Sequence, residues 1–79
     1  MSNEIEQKSR HEAFWEVVDA GIIPYNLRLY KAFIRLDIHC LGELRGRSRQ
    51  EFLSLKNFGA VSLCHLEAMS TYFGIVLKP

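Results

Sequence analysis

The sequence predicts an all-α fold, a compact bundle of about five short helices containing one helix-hairpin-helix. Three observations carry this prediction. Apolar residues recur at three- and four-residue spacing in several segments. Two Ser-x-x-Glu capping boxes, beginning at Ser9 and Ser48, stand directly ahead of such segments. Gly21, Asn57-Phe58-Gly59 and Gly74 punctuate their ends.

Residues 1–8 carry no apolar periodicity and are expected to form a flexible tail, leaving 9–79 as a single helical domain. The first helix is expected at about 10–20. Ser9 caps it, Glu12 reaches back to the cap amide, and Ala13, Phe14, Val17 and Val18 line one face. Gly21 stops this helix and Pro24 prevents its continuation. Trp15 falls off the apolar stripe, so it either covers the core edge or marks a contact surface.

Asn26 suits the N-cap of a second helix over 27–36. Leu29, Tyr30, Phe33, Ile34 and Leu36 give it a broad apolar face. Arg28, Lys31 and Arg35, spaced by three and four, share the other side. Positions 37–40 read as a loop and Leu41-Gly42-Glu43-Leu44 as a short helical turn. Ser48-Arg49-Gln50-Glu51 opens a short helix to about residue 55. After a tight turn, the last helix spans about 60–72 with Leu63, Leu66, Met69 and Phe73 as its spine. Ile75-Val76-Leu77 then folds back as an apolar tail. The expected core is Leu29 or Tyr30, Phe33, Leu41, Leu44, Phe52, Leu55, Leu63, Leu66 and Met69.

The chain has 79 residues, 48% hydrophobic and 24% charged, the proportions of one small globular domain. No apolar run reaches membrane-spanning length. The acidic, polar N-terminus is unlike a secretory signal. Two cysteines are too few for a disulfide scaffold, so free thiols and a cytoplasmic location are expected. A domain this small has little room for a buried cleft. No phosphate-loop or dinucleotide motif is present, and His11, His39 and His65 lack acid or nucleophile partners at motif spacing. A binding module without cofactor is therefore expected rather than an enzyme. His39-Cys40 and Cys64-His65 are adjacent pairs, not the separated ligands of structural zinc sites. Neighbours on a helix point about 100° apart, so one ion could hardly take both.

Charge is unevenly spread. Residues 1–20 carry two Lys/Arg against five Asp/Glu, whereas 21–79 carry eight against four. The basic groups concentrate in 28–56 and are consistent with an anion-binding face. The sharpest local feature is Leu53 to Leu63, which reads as short helix, Gly-containing hairpin, longer helix. Gly59 permits a backbone turn that a side chain would obstruct. The helix that follows presents free amides, and its dipole favours an anion there. Amides near Gly59, Ala60 and Val61, with the Ser62 hydroxyl, could hold a phosphate. The plainer reading is an αα-turn with Ser62 as a first-turn cap.

Together, the hairpin and the preceding basic helix resemble the C-terminal domain of the bacterial RNA polymerase alpha subunit, without a gap from about 26 to 77. Asn26-Leu27-Arg28 is similar to that family's Thr-Val-Arg helix start. Ile38-His39-Cys40-Leu41-Gly42-Glu43-Leu44 resembles its Ile-x-x-Ile-Gly-Asp-Leu segment. Glu51-Phe52-Leu53 resembles its Glu-Leu-Leu. Asn57-Phe58-Gly59-Ala60-Val61-Ser62-Leu63 resembles its Asn-Leu-Gly-Lys-Lys-Ser-Leu, and Gly74-Ile75-Val76-Leu77 its Gly-Leu-Ser-Leu ending. The resemblance implies a core over about 24–77 that binds upstream promoter DNA across an A+T-rich minor groove and receives contacts from transcription activators. It maps the family's key arginine to Arg28 and its hairpin glycine and serine to Gly59 and Ser62. A guanidinium suits a narrow A+T minor groove, and hairpin amides suit the flanking phosphate.

Departures from the pattern bear on affinity. The hairpin lysines are Ala60 and Val61 here, an Asn-Cys pair is Lys31-Ala32, and a glutamate on the last helix is His65. Phosphate neutralisation drives much of DNA affinity, so weak binding is expected. The chain is expected to act as a stand-alone module with an extra acidic helix in place of the subunit's assembly domain. Two readings follow. One is a transcription-associated DNA-binding module using Arg28, Lys31, Arg35, Lys56, Gly59 and Ser62. The other is a protein-interaction module, with RNA polymerase or a transcription regulator as partner, docking through Trp15 or Val61.

Overall fold

Six helical elements follow one another among the described residues of the computed structural model, which are residues 4–79. They are α1 (Glu4–Gln7), α2 (Arg10–Asp19), α3 (Leu27–Arg35), a 3-10 helix (Leu41–Gly46), α4 (Arg49–Leu53) and α5 (Ala60–Phe73). No strand occurs among the described residues, only isolated bridges of Ser9 with Cys40 and Ser48 with Lys78.

The helix starts follow from local chemistry. Ser9 accepts from the Glu12 amide at 3.1 Å, while the Glu12 carboxylate accepts from the Ser9 amide at 3.1 Å. Ser48 and Glu51 repeat the arrangement ahead of α4, at 3.3 and 3.1 Å. Each box satisfies amides that the helix itself cannot. Asn26 caps α3 by accepting from the Leu29 amide at 3.2 Å. Gly21 and Gly74 end α2 and α5 in the left-handed region, at φ 76° and 72°. The amides that follow them, on Ile22 and Ile75, bond back to Val17 and Ser70. Asp37 adopts the same conformation after α3, at φ 60°, and the Ile38 amide bonds back to Phe33.

Phe14, Val17, Leu29, Phe33, Leu41, Leu44, Phe52, Leu66 and Met69 are all fully buried and form one cluster. Of the expected core, Tyr30, Leu55 and Leu63 are only partly buried and pack at its edge. Ile38 and Phe58 also reach the interior, from segments that read as loop and turn. Phe52 is the junction of the hairpin side, with ring centroids 6.0 Å from Phe33 and 5.5 Å from Phe58. The C-terminal tail returns as expected. Ile75 and Leu77 are buried, and Lys78 donates its amide to the Arg47 carbonyl at 3.0 Å.

The expected flexible tail departs from what the structure describes. Over Glu4–Gln7 the chain forms a helical turn docked on the 3-10 helix. Glu6 pairs with Arg45 at 2.6 Å. The Leu41 amide donates to the Lys8 carbonyl at 3.0 Å, and the Arg10 amide to His39 at 2.9 Å. A Cβ at Gly42 would lie 3.2 Å from the Glu6 carbonyl oxygen, so any side chain there would press on the docked turn. Residues 1–3 of the expected tail lie outside the described residues.

Candidate nucleic-acid interface

α3 and the hairpin between α4 and α5 together build a groove of about 260 Å³. Arg28, Lys31 and Arg35 line it from α3, and Lys56 lines it from the hairpin. All four side chains are exposed, and none of the groove's lining residues is acidic. Arg35 donates from Nη1 to the Lys56 carbonyl at 3.2 Å, which holds the hairpin against α3.

Among the described residues, four of the six other cations are paired, while Arg10 donates to the Ile38 carbonyl and Lys78 makes no ion pair. Lys8 pairs with Glu16, Arg45 with Glu6, Arg47 with Glu51, and Arg49 with Glu67. The Arg47–Glu51 pair holds the Glu51 carboxyl below the usual carboxylate range. Glu6, Glu16, Glu51 and Glu67 thus neutralise cations around α1, α2 and α4, while Arg28, Lys31, Arg35 and Lys56 make no ion pair among the described residues. Their uncompensated charge is focused on one face.

Arg28 also borders a second, shallower depression, shared with Tyr25, Leu27, Val61, Ser62 and His65. Here the first turns of α3 and α5 meet. Among the described residues no side chain caps α5 at Gly59, and its first return bond is from the Leu63 amide to the Gly59 carbonyl. The amides ahead of Leu63 are the free helix-start donors that favour anions.

Two residues depart from their expected roles. Gly59 is extended, at φ −124° and ψ −164°, and a Cβ there would meet nothing within 4 Å. The hairpin therefore does not need glycine at this position. The left-handed residue of the turn is Asn57, at φ 67°. Ser62 is 5% exposed, and its hydroxyl accepts from Asn26 Nδ2 at 3.3 Å. It serves first to join α3 to α5. His65 completes the joint, with Nδ1 2.9 Å from the same Asn26 nitrogen. Because the Asn26 oxygen is occupied by the Leu29 amide, its nitrogen is the donor and His65 Nδ1 the acceptor.

Trp15 lies apart from the groove. It is part-exposed and stacks on Tyr25, with centroids 5.4 Å apart and planes 27° from parallel. Val61 is 69% exposed, at the rim of the shallow depression. Sequence reasoning missed Tyr25 and His65 as neighbours of Arg28. The available signal was their position: Tyr25 precedes the α3 cap, and His65 lies one turn beyond Val61. Cys40 bonds to Glu43 and His39 pairs with Asp37, while Cys64 is exposed. Among the described residues no group of three His, Cys, Asp or Glu is placed to hold a metal. No helix among them is long and apolar enough to cross a membrane.

Comparison with known proteins gives one consistent result. The chain is 40% identical over 56 residues, 71% of its length, to the DNA-directed RNA polymerase subunit alpha of a Nocardioides species. It is 38% identical over 69 residues, 85% of its length, to that of Cutibacterium acnes. To that of Corynebacterium glutamicum it is 32% identical over 56 residues. The chain spans no more than a fifth of these relatives, covering 17%, 20% and 17% of them. No family model matches the chain, and no solved structure matches it. The resemblance to the alpha C-terminal domain, read first from Arg28 and the hairpin, agrees with these matches.

Proposed function

We propose that this chain is a transcription-associated module that binds DNA weakly through the α3–hairpin face. One observation carries the reading. Arg28, Lys31, Arg35 and Lys56, separated by up to 28 positions in sequence, gather on one surface without a neutralising carboxylate, beside the uncapped start of α5. The similarity to RNA polymerase alpha subunits supports the transcription context.

In this reading Arg28 enters the minor groove, where an A+T-rich tract concentrates negative potential. A phosphate lies against the α5 amides, and Lys31, Arg35 and Lys56 supply longer-range attraction. Gly59 supports the same reading from another direction. Its conformation suits any residue, and the absence of a side chain leaves the backbone open to close approach by a ligand. Ser62 acts as a positioning residue, fixing α5 against the α3 cap through Asn26. With Ala60 and Val61 at the hairpin, few phosphates are neutralised and affinity is low.

The exposed Trp15–Tyr25 stack and Val61 favour a second reading, in which the module docks on RNA polymerase or a transcription regulator. An NMR titration with an A+T-rich duplex at low salt separates the two. Shifts clustered at Arg28 and 59–62 are expected from DNA binding. Unmoved resonances at millimolar duplex would remove it.

A further inference from the structure

The groove between α3 and the hairpin is built differently from a surface that only needs to attract phosphate. Its rim is cationic, but its floor is apolar: Ala32 and Phe58 are buried, Leu55 is half-buried, and Leu27 is 45% exposed. A phosphate backbone crossing the rim would gain nothing from that floor. A duplex is also far wider than a concavity of about 260 Å³, which is the size of a side chain or two.

The walls are fixed in place. The Arg35–Lys56 bond ties the hairpin to α3, and the Phe52 and Phe58 rings brace the hairpin from beneath. The occupant must therefore present negative charge and an apolar side chain within a few residues of each other. A flexible chain must also be able to enter.

We propose that this groove binds an acidic peptide segment of a protein partner, with aspartate or glutamate side chains on the four cations and one large apolar side chain seated against Leu27 and Leu55. Charge complementarity selects the partner: four cations and no acid line the groove, while Glu6, Glu16, Glu51 and Glu67 neutralise cations elsewhere. The apolar anchor supplies what distinguishes a specific peptide from any polyanion. The inference does not rest on DNA binding. The two meet at Arg28, which borders both the groove and the shallow depression, so peptide and duplex would exclude each other there.

The test is fluorescence anisotropy with the whole chain at physiological salt. The probe is a labelled, glutamate-rich peptide carrying one central phenylalanine. Saturable binding is expected, weakening about tenfold or more when that phenylalanine is replaced by alanine. Leu27→Asn, at an exposed position, should weaken the peptide similarly, with its melting curve confirming the fold. No saturable binding at millimolar peptide would overturn the proposal. So would equal binding of the phenylalanine and alanine peptides, which marks charge attraction alone. So would a Leu27→Asn change that weakens duplex but not peptide, which assigns the groove to nucleic acid. Peptide binding without duplex binding would keep this inference and remove the DNA reading.

Discussion

Asn26 and Ser62 are hydrogen-bonded across 36 positions of sequence, Nδ2 to Oγ at 3.3 Å, and so lock the start of α3 to the start of α5. Asn26 simultaneously caps α3 through its oxygen. Replacing it by alanine removes cap and tie together and should cost about 1–2 kcal/mol. Asn26→Asp keeps the acceptor for the Leu29 amide but cannot donate to Ser62 or to His65 Nδ1. It should cost less than the alanine variant while broadening the resonances of the α5 start. Urea midpoints order the three proteins; equal midpoints for both variants would assign the whole effect to one half of the amide.

The hairpin's conformational demand sits at Asn57, not Gly59. Asn57→Ala should destabilise by about 1 kcal/mol, because alanine tolerates the left-handed region poorly. Gly59→Ala should leave the melting temperature nearly unchanged, since the position is extended and open. If a phosphate approaches the α5 amides, the same Gly59→Ala change should weaken duplex binding. A large loss of stability at Gly59 would reverse the assignment.

Ser70 is 4% exposed and its hydroxyl has no hydrogen-bond partner among the described residues. A buried unsatisfied hydroxyl costs about 1–3 kcal/mol. Ser70→Ala should therefore raise stability, by up to about 1 kcal/mol, with alanine's better helix propensity helping. Thermal unfolding followed by circular dichroism checks the sign.

Acid should lower the domain's stability progressively. Glu51 is held low first by the Arg47 guanidinium and then by the Ser48 amide, Glu12 by the Ser9 amide, and Glu16 by Lys8. A depressed carboxylate contributes stability that is complete above its unfolded value and lost as pH falls through its folded value. The loss should thus begin below about pH 4.5 and deepen as pH falls further. Glu51→Gln keeps an acceptor for the Ser48 amide but does not titrate, so its urea midpoint should vary less steeply over that range.

Arg28 and Val61 should move duplex affinity in opposite directions. Arg28→Ala, at an exposed position, should remove most binding without unfolding the domain. Val61→Lys should strengthen binding and steepen its salt dependence, because each added phosphate contact releases about one counterion. Two surface changes of opposite sign cannot both arise from loss of fold. Equal, feeble binding by all three proteins at low salt would eliminate DNA as the ligand.

Local signals made much of this protein legible. Both capping boxes form as read, since Ser9–Glu12 and Ser48–Glu51 need only four residues of contiguous chain. The helical spacing of Phe33, Phe52, Leu66 and Met69 likewise identified side chains that are fully buried. Ile38 and Phe58 escaped notice because loop residues have no periodicity to betray their burial. Residues 4–7 did too, since a four-residue helix is held by its partners, here Arg45 and the Gly42 backbone, and not by its own propensity.

For the candidate site, sequence alone determined the supply of cations and the position of the hairpin. Only the tertiary structure decided which cations remain uncompensated, because pairings such as Arg45–Glu6 and Arg49–Glu67 join residues 39 and 18 positions apart. It likewise decided that Ser62 turns towards Asn26 and that Lys56 faces Arg35. Electrostatic compensation and burial depend on distance in space. A sequence specifies that distance only within a turn or two of helix, so the chemistry of the groove had to wait for the fold that closes it.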